Sequence, residues 1–237
     1  MKNLMLFTLA FVSVVSAFFV SCAIFITVGN GDLVTLEKNV SSFQKVHCDG
    51  SAEIRFHAST EYRIIITADS NLIDNIETSV GNNTLKIGTK YGNYSFTKFI
   101  VDVYCPALTG ISMSGSGKFS TCDTITVSTF KSEMSGSGKV EGTIECDTFI
   151  ARITGSGKIN ITGNCINSNI TSSGSGNFNG FDFIMKDAVI DITGSGKADV
   201  HVTDYLKAII SGSGSINYLG DPSIDSHITG SGRITKM

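Results

Sequence analysis

A Gly-Ser-Gly element recurs seven times in the C-terminal half of the chain, and this periodicity limits the possible folds more than any other property of the sequence. The copies begin at Gly115, Gly136, Gly155, Gly174, Gly194, Gly212 and Gly230. Successive copies are 21, 19, 19, 20, 18 and 18 residues apart. A flexible linker does not keep such a period, whereas a structural unit stacked on copies of itself does. The spacing therefore predicts an all-β solenoid (β-helix) with about 18–21 residues per coil.

Side chains around each element alternate between apolar and polar types. In the second copy, Met134 and Val140 share one parity with both glycines, whereas Ser135, Ser137 and Lys139 take the other. Strict alternation predicts a strand with one buried and one solvated face, so both glycines would point inward, and the less regular half of each coil would form a return strand. Two uses of these glycines remain open. They could allow close approach of two walls, or one could form a corner with positive φ.

The solvated parity carries a column of cations three residues after the first glycine. It comprises Lys118, Lys139, Lys158, Lys197 and Arg233, with Asn177 and Ser215 at the two remaining copies. Stacked coils would place the first three lysines in a row. We interpret the column as a candidate surface binding stripe for anionic glycans or lipid headgroups. The competing interpretation is a solvated face that discourages edge aggregation, partly neutralised by Glu141 and Asp199.

Residues 29–110 lack the element but contain one degenerate copy of it. From Val46 to Ile54 the parity matches that of the repeats, with Gly50 and Ala52 in place of the two glycines. Further strands are predicted over 62–68, 76–80, 84–89 and 99–104, with a hairpin turn at 81–83 and a short helical turn over 71–75. We expect a β-rich N-terminal cap, continuous with the repeat solenoid of residues 111–237. The aromatic residues of loop 91–96 would either contact a ligand or fold back onto this cap.

Residues 1–28 have the character of an export signal or a membrane anchor. After Lys2, the 25 residues from Leu4 to Val28 carry no charge, which is long enough to span a bilayer as a helix. Three outcomes are open: lipid attachment at Cys22, cleavage after Ala17, or a retained helix. Each outcome exports the rest of the chain. We therefore expect a protein of the bacterial cell envelope, at the outer membrane, the cell surface or in the periplasm, that contacts the membrane through its N-terminal anchor.

The composition and motifs argue against several other functions. A net charge of −3 is unlike that of a nucleic-acid-binding protein. Apart from Cys22 there are five cysteines, an odd number, and none forms a C-x-x-C pair. The lysines after the glycines lack the upstream glycine of a phosphate loop, and neither GxSxG nor HExxH occurs. We predict no catalytic residue, cofactor or metal.

A polysaccharide-active β-helix enzyme is the main catalytic alternative. Such enzymes cluster several acids on one face, whereas Glu141 and Asp199, the acids just beyond the cation column, fall three coils apart. The four histidines share no repeat position and no ligand spacing, and we expect them at the surface.

Near its C-terminus the sequence contains Gly212-Ser213-Gly214, then Tyr218, Gly220 and Pro222, and a last element from Thr229 to Gly232. This order of motifs resembles the head GIN domain family. Phe43, residues 68–72 and residues 85–88 resemble the family's N-terminal landmarks, so the likeness covers about residues 30–235. It implies a β-solenoid on the bacterial envelope, described by analogy as an auto-transporter adhesin. We therefore expect a non-catalytic adhesin or binding scaffold with a glycan, protein or other envelope ligand. The alternatives are the enzyme above or a structural or signalling periplasmic protein with a protein partner.

Overall fold

The computed structural model describes residues 26–237, which are β-structure almost throughout. The strands are β1 (Thr27–Val28), β2 (Leu33–Asn39), β3 (Lys45–Gly50), β4 (Glu53–Ala58), β5 (Arg63–Asp69), β6 (Ile76–Gly81), β7 (Thr84–Thr89), β8 (Tyr94–Ser95), β9 (Phe99–Cys105), β10 (Gly110–Gly115), β11 (Lys118–Thr121), β12 (Ile125–Gly136), β13 (Lys139–Gly155), β14 (Lys158–Gly174), β15 (Asn177–Gly194), β16 (Lys197–Gly212), β17 (Ser215–Leu219), β18 (Ser223–Gly230) and β19 (Arg233–Lys236). A single-turn 3₁₀-helix spans Ile73–Asn75. Cys22 and the predicted signal segment up to residue 25 lie outside the described residues. Within residues 26–237, no helix has the length and apolar character needed to cross a membrane.

Strands β2–β7 and β9–β19 form one continuous 17-stranded sheet that winds into a solenoid. Four coils of the repeat region, β13 to β16, are each a single long strand, such as the 17 residues of β13, that pairs in parallel with the strand of the next coil. The coils at residues 118–136 and 215–230 are each divided into two strands. The repeats stack in register, so that Gly136 lies opposite Gly155 and Gly155 opposite Gly174. The predicted all-β solenoid is confirmed.

The Gly-Ser-Gly elements form corners. The prediction that one strand runs straight through both glycines is wrong, because every long strand ends at the first glycine and a new one begins after the second. The first glycine of each copy has a φ between +110° and +128°, a conformation that L-residues with a Cβ rarely adopt. A Cβ on Gly174 would also lie 2.7 Å from the carbonyl oxygen of Gly155 on the preceding coil. The first glycine of each copy therefore serves as a corner with positive φ.

The interior is filled by columns of apolar side chains that repeat from coil to coil. Phe119, Val140, Ile159 and Phe178 are consecutive register partners, and all are buried. A second column begins with Phe130 and Phe149, whose rings stack with centroids 6.3 Å apart. The inward parity predicted on either side of the glycines is thus confirmed, and the core is a narrow, closely packed stack.

The N-terminal section lies in the same sheet and pairs with the repeats through the degenerate copy. Within it, β3 pairs with β10 so that Gly50 lies opposite Gly115, and β4 pairs with β11 so that Ile54 lies opposite Phe119. Beyond this coil, β9, β5 and β2 pair in antiparallel fashion, and β6 and β7 form a hairpin whose turn residues Asn82 and Asn83 have φ near +55° (52° and 60°). This change from parallel to antiparallel pairing ends the stack of coils.

Substitution of Gly174 by Ala tests the corner. We expect G174A to lower the free energy of unfolding by about 2–4 kcal/mol, because it combines an unfavourable φ with a clash against the Gly155 carbonyl. Urea denaturation followed by circular dichroism measures the change. The matched control is S175A, since Ser175 sits in the same corner but is exposed, and it should change stability by less than about 0.5 kcal/mol. Equal stability of G174A and S175A would contradict the corner.

Candidate binding face

Three polar columns run side by side along one face of the solenoid, and we call this surface the polar face. The cation column contains Glu53, Lys118, Lys139, Lys158, Asn177, Lys197, Ser215 and Arg233. The amide column lies two residues further along each strand and contains Asp102, Arg55, Ser120, Glu141, Asn160, Asn179, Asp199 and Asn217. The third column includes Tyr104, His57, Cys122, Thr143 and Thr162.

The cation column places the predicted lysines on successive coils. Lys118, Lys139 and Lys158 are direct register partners. Carboxylates of the amide column partly neutralise them: Glu141 lies 3.1 Å from Lys118 and 2.5 Å from Lys139, and Asp199 lies 2.8 Å from Lys197. Within the part of the chain that the structure describes, Lys158 and Arg233 have no carboxylate within 4.0 Å. Among the described cations of this column, these two are therefore not neutralised by an ion pair.

Glu141 bridges two coils and stays ionised. The ammonium group of Lys139, followed by that of Lys118 and the amide of Asn160, lowers the pKa of Glu141 from its ordinary 4.5 to about 2. The Asn160 amide nitrogen donates to its carboxylate over 3.2 Å. At neutral pH this group is a fixed anion that anchors neighbouring side chains, and it is a poor proton donor.

Amide side chains link the middle coils. The side-chain nitrogen of Asn179 donates to the Asn160 oxygen over 2.6 Å, and that of Asn217 donates to Asp199 over 2.8 Å. Sequence reasoning missed this column, although a signal was available. The fifth residue after the first glycine is polar in all seven copies, as Ser120, Glu141, Asn160, Asn179, Asp199, Asn217 and Thr235.

A bulge in β15 turns part of the polar face into a groove. The register between β15 and β16 shifts between Gly180 and Ile184, so residues 181–183 have no partner on the next coil. Phe181 and Asp182 line one wall of a groove of about 560 Å³, and Asn160, Asn179 and Glu141 contribute to the rest. Phe181 is half-buried, which leaves part of its ring accessible. The bulge occupies the 20-residue repeat, the longest after the first.

A histidine cluster lies at the N-terminal end of the same face. His57 Nε2 is 2.8 Å from Asp102 Oδ1 and 3.8 Å from the Cys122 sulfur, and its ring stacks on Tyr104 at 4.6 Å. Because the carboxylate and the thiol share one ring nitrogen, the imidazole does not relay a proton between them. Burial and the nearby carboxylates of Asp102 and Asp123 raise the pKa of Cys122, which keeps the thiol protonated. The cluster therefore lacks the geometry of a nucleophilic triad.

The aromatic residues of loop 91–96 do not all behave alike: one is exposed, as a ligand contact would require, and two fold back onto the cap. Tyr91 is fully exposed, whereas Phe96 packs against Phe99 with ring centroids 4.7 Å apart. The hydroxyl of Tyr94 lies 3.4 Å from the Asn75 side chain, so this ring also folds back. Among residues 26–237, no group of three or more His, Cys, Asp or Glu side chains is arranged to hold a metal ion.

The fold and the polar face define a β-solenoid protein with a repetitive, open surface. Residues 42–222 match the family described as "putative auto-transporter adhesin, head GIN domain", and the chain belongs to that family. Membership in this adhesin-like family indicates an exported or surface protein. No curated protein matches the chain.

Solved structures support the same fold. A "putative lipid binding protein" from Parabacteroides distasonis is 29% identical over 90% of this chain and 100% of its own, with a TM-score of 0.75. A "putative adhesin" from the same organism is 26% identical with the same coverage and a TM-score of 0.75. A "putative adhesin" from Bacteroides fragilis shares the fold at a TM-score of 0.83, with 23% identity over 89% of this chain and 100% of its own.

The lowered pKa of Glu141 makes a prediction about stability and pH. A carboxyl whose pKa falls on folding stabilises the protein above about pH 4.5, and this contribution disappears as the pH falls towards about 2. We expect E141Q to cost about 1 kcal/mol at pH 7, given the partial exposure of the ion pairs. Near pH 2 the difference from the parent should vanish. Urea titrations at both pH values measure it, with E145Q on the same strand as an exposed control. A deficit of E141Q that does not change with pH would contradict the assignment.

Proposed function

We propose that this protein is a non-catalytic scaffold of the bacterial cell envelope that binds an extended, acidic glycan along its polar face. The observation that carries the proposal is the in-register run of the three polar columns, which widens into the groove below Phe181. A surface that repeats about every 4.8 Å offers a polymer the same contacts many times. Each contact is weak, but several acting together give useful affinity.

The chemistry of the polar face suits a carbohydrate. The hydroxyls of Thr143 and Thr162 and the amides of Asn160 and Asn179 supply both donors and acceptors for sugar hydroxyls. Phe181 supplies an apolar surface at the groove wall. Lys158 and Arg233 add charge-assisted hydrogen bonds to carboxylate or sulfate groups on the glycan.

The two acids of the amide column that line the groove, Glu141 and Asp199, support binding without catalysis, and Asp182, the third acid of the lining, is exposed on the bulge. Glu141 and Asp199 lie three coils apart, which is about 14 Å at the spacing of parallel strands. Glycoside hydrolysis uses two carboxyl groups about 5–9.5 Å apart, one of them protonated. Glu141 is held as an anion by two lysines, and Asp199 is paired with Lys197 and Asn217. A polysaccharide-active enzyme remains the alternative, and it predicts product release in the assay below.

The lipid-binding name of one structural neighbour suggests a competing ligand. The interior of the described solenoid is packed with side chains such as Phe119, Phe149 and Phe178, so an acyl chain would have no space between the walls. A lipid would meet the cation column through its headgroup alone. Anionic vesicles therefore belong in the binding test as a second ligand class.

Binding of the full-length chain to acidic polysaccharides, neutral polysaccharides and phosphatidylglycerol vesicles tests the proposal. We expect acidic polysaccharide to bind best. F181A should weaken binding about 3- to 10-fold, and K158Q combined with R233Q should weaken it further and reduce its salt dependence. Y91A and K186Q are matched controls, because they remove an exposed aromatic ring and an exposed lysine elsewhere.

Four results would overturn this assignment. Binding to vesicles alone would favour a lipid surface, release of shortened sugars would favour an enzyme, and equal losses in F181A and Y91A would place the ligand elsewhere. Retention of a protein alone, with no polysaccharide bound, would favour the structural or signalling alternative.

We propose further that a lipid on Cys22 anchors the solenoid at the outer membrane or the cell surface. Support comes from the small Ser21 before this cysteine and the apolar run around it. Mass spectrometry of the mature protein should find residues 1–21 removed and acyl groups on Cys22. In C22S the acyl groups should be absent, since no thiol is available to carry them. A mature chain that begins at Met1, or after Ala17, would refute lipid attachment.

A further inference from the structure

Two cysteines occupy the same inward position on adjacent coils. Cys146 on β13 and Cys165 on β14 are direct register partners in parallel strands. Both are nearly buried, with 9% and 6% of their surfaces exposed. Their column continues with Val127 on one side and Met185 on the other, so the pair is isolated within an apolar stack.

The stacking brings the two residues to the separation that a disulfide requires. Neighbouring parallel strands lie about 4.7–4.9 Å apart, and disulfides join residues whose Cα atoms are about 4.4–6.8 Å apart. The other described cysteines have different neighbours: Cys48 lies opposite Met113 and Ile87, and Cys105 lies opposite Ala58. Cys122 faces His57. Among the described residues, Cys146 and Cys165 are therefore the two cysteines that share a register position.

We propose that Cys146 and Cys165 are an oxidation site that forms a disulfide between adjacent coils when the protein meets a disulfide oxidant. This inference rests on the proposed function in one respect only: export would bring the protein to a compartment that contains such an oxidant. The cross-link itself depends on the stacking, and it requires neither a ligand nor the polar face.

The two thiols face the same interior on adjacent coils. The neighbouring Cys165 lowers the pKa of Cys146, whereas the neighbouring Cys146 and burial raise the pKa of Cys165, so Cys146 reacts first. The Cys146 thiolate attacks one sulfur of the oxidant, forms a mixed disulfide and releases one thiolate. Cys165 then loses its proton, attacks the Cys146 sulfur and expels the second thiolate. The two protein thiols lose two electrons in total, and the oxidant is reduced to two thiols.

Peptide mapping of the full-length chain tests the site. After incubation with oxidised glutathione, remaining thiols are blocked with N-ethylmaleimide in denaturant and the digest is examined by mass spectrometry. We expect a linked peptide pair containing Cys146 and Cys165, with Cys48 and Cys105 alkylated. Because the two cysteines are 19 residues apart, the cross-link should raise Tm by about 5–10 °C. Dithiothreitol should reverse the rise.

Two variants separate this reaction from effects on folding. C165A should lose both the linked peptide and the response of Tm to oxidant, whereas C105A, at another buried cysteine, should keep both. Alkylation of both Cys146 and Cys165 in the oxidised parent would overturn the proposal, and so would a link from either of them to Cys122. Glycan binding by the same samples is scored separately, so failure of one proposal leaves the other intact.

Discussion

The stacking of the glycine corners is the interaction on which the rest of the structure depends. At each corner the backbone N–H after the first glycine donates to a glycine carbonyl of the coil before, as from Ser175 to Gly155 over 2.9 Å. The N–H after the second glycine does the same, as from Asn177 to Gly157 over 2.9 Å. A side chain at the first glycine would occupy the space of that carbonyl. The corners thus fix each coil to the one before it, and a shift of a single residue would turn the apolar columns towards solvent.

This fixed register also explains why a strongly polar surface is tolerated. Two lysines on adjacent coils about 4.8 Å apart repel each other by about 0.9 kcal/mol in water. Glu141 contacts two of them at once, and Asn160 and Asn179 extend its hydrogen bonds to later coils. Because the backbone ladder fixes the spacing of the coils, the side chains of the polar face form a regular array.

The sequence was sufficient to predict the features that every repeat shares. The spacing of the glycines predicted the coil length, the alternation predicted the inward column of Phe119 and its partners, and the register placed the lysines in one row. The sequence left the corner open as one of two uses of the glycines, because a glycine with positive φ keeps the same alternation as a glycine in a straight strand. The bulge at Phe181 was missed because a 20-residue repeat reveals that residues are added but not where. The contact of His57 with Asp102 joins residues 45 positions apart, and no local pattern indicates such a pair.

The chemically distinctive sites lie where single coils depart from the common pattern. An average coil supplies hydroxyls, a cation and an apolar interior, which together make a stable surface with little selectivity. The bulge adds Phe181 and a groove to one coil, and the pair of cysteines adds a reactive site between two others. Such departures cost little folding stability, because each coil contacts only its immediate neighbours and the corners on both sides hold the register. The repeat therefore provides rigidity, and the exceptions to it provide the chemical differences between coils.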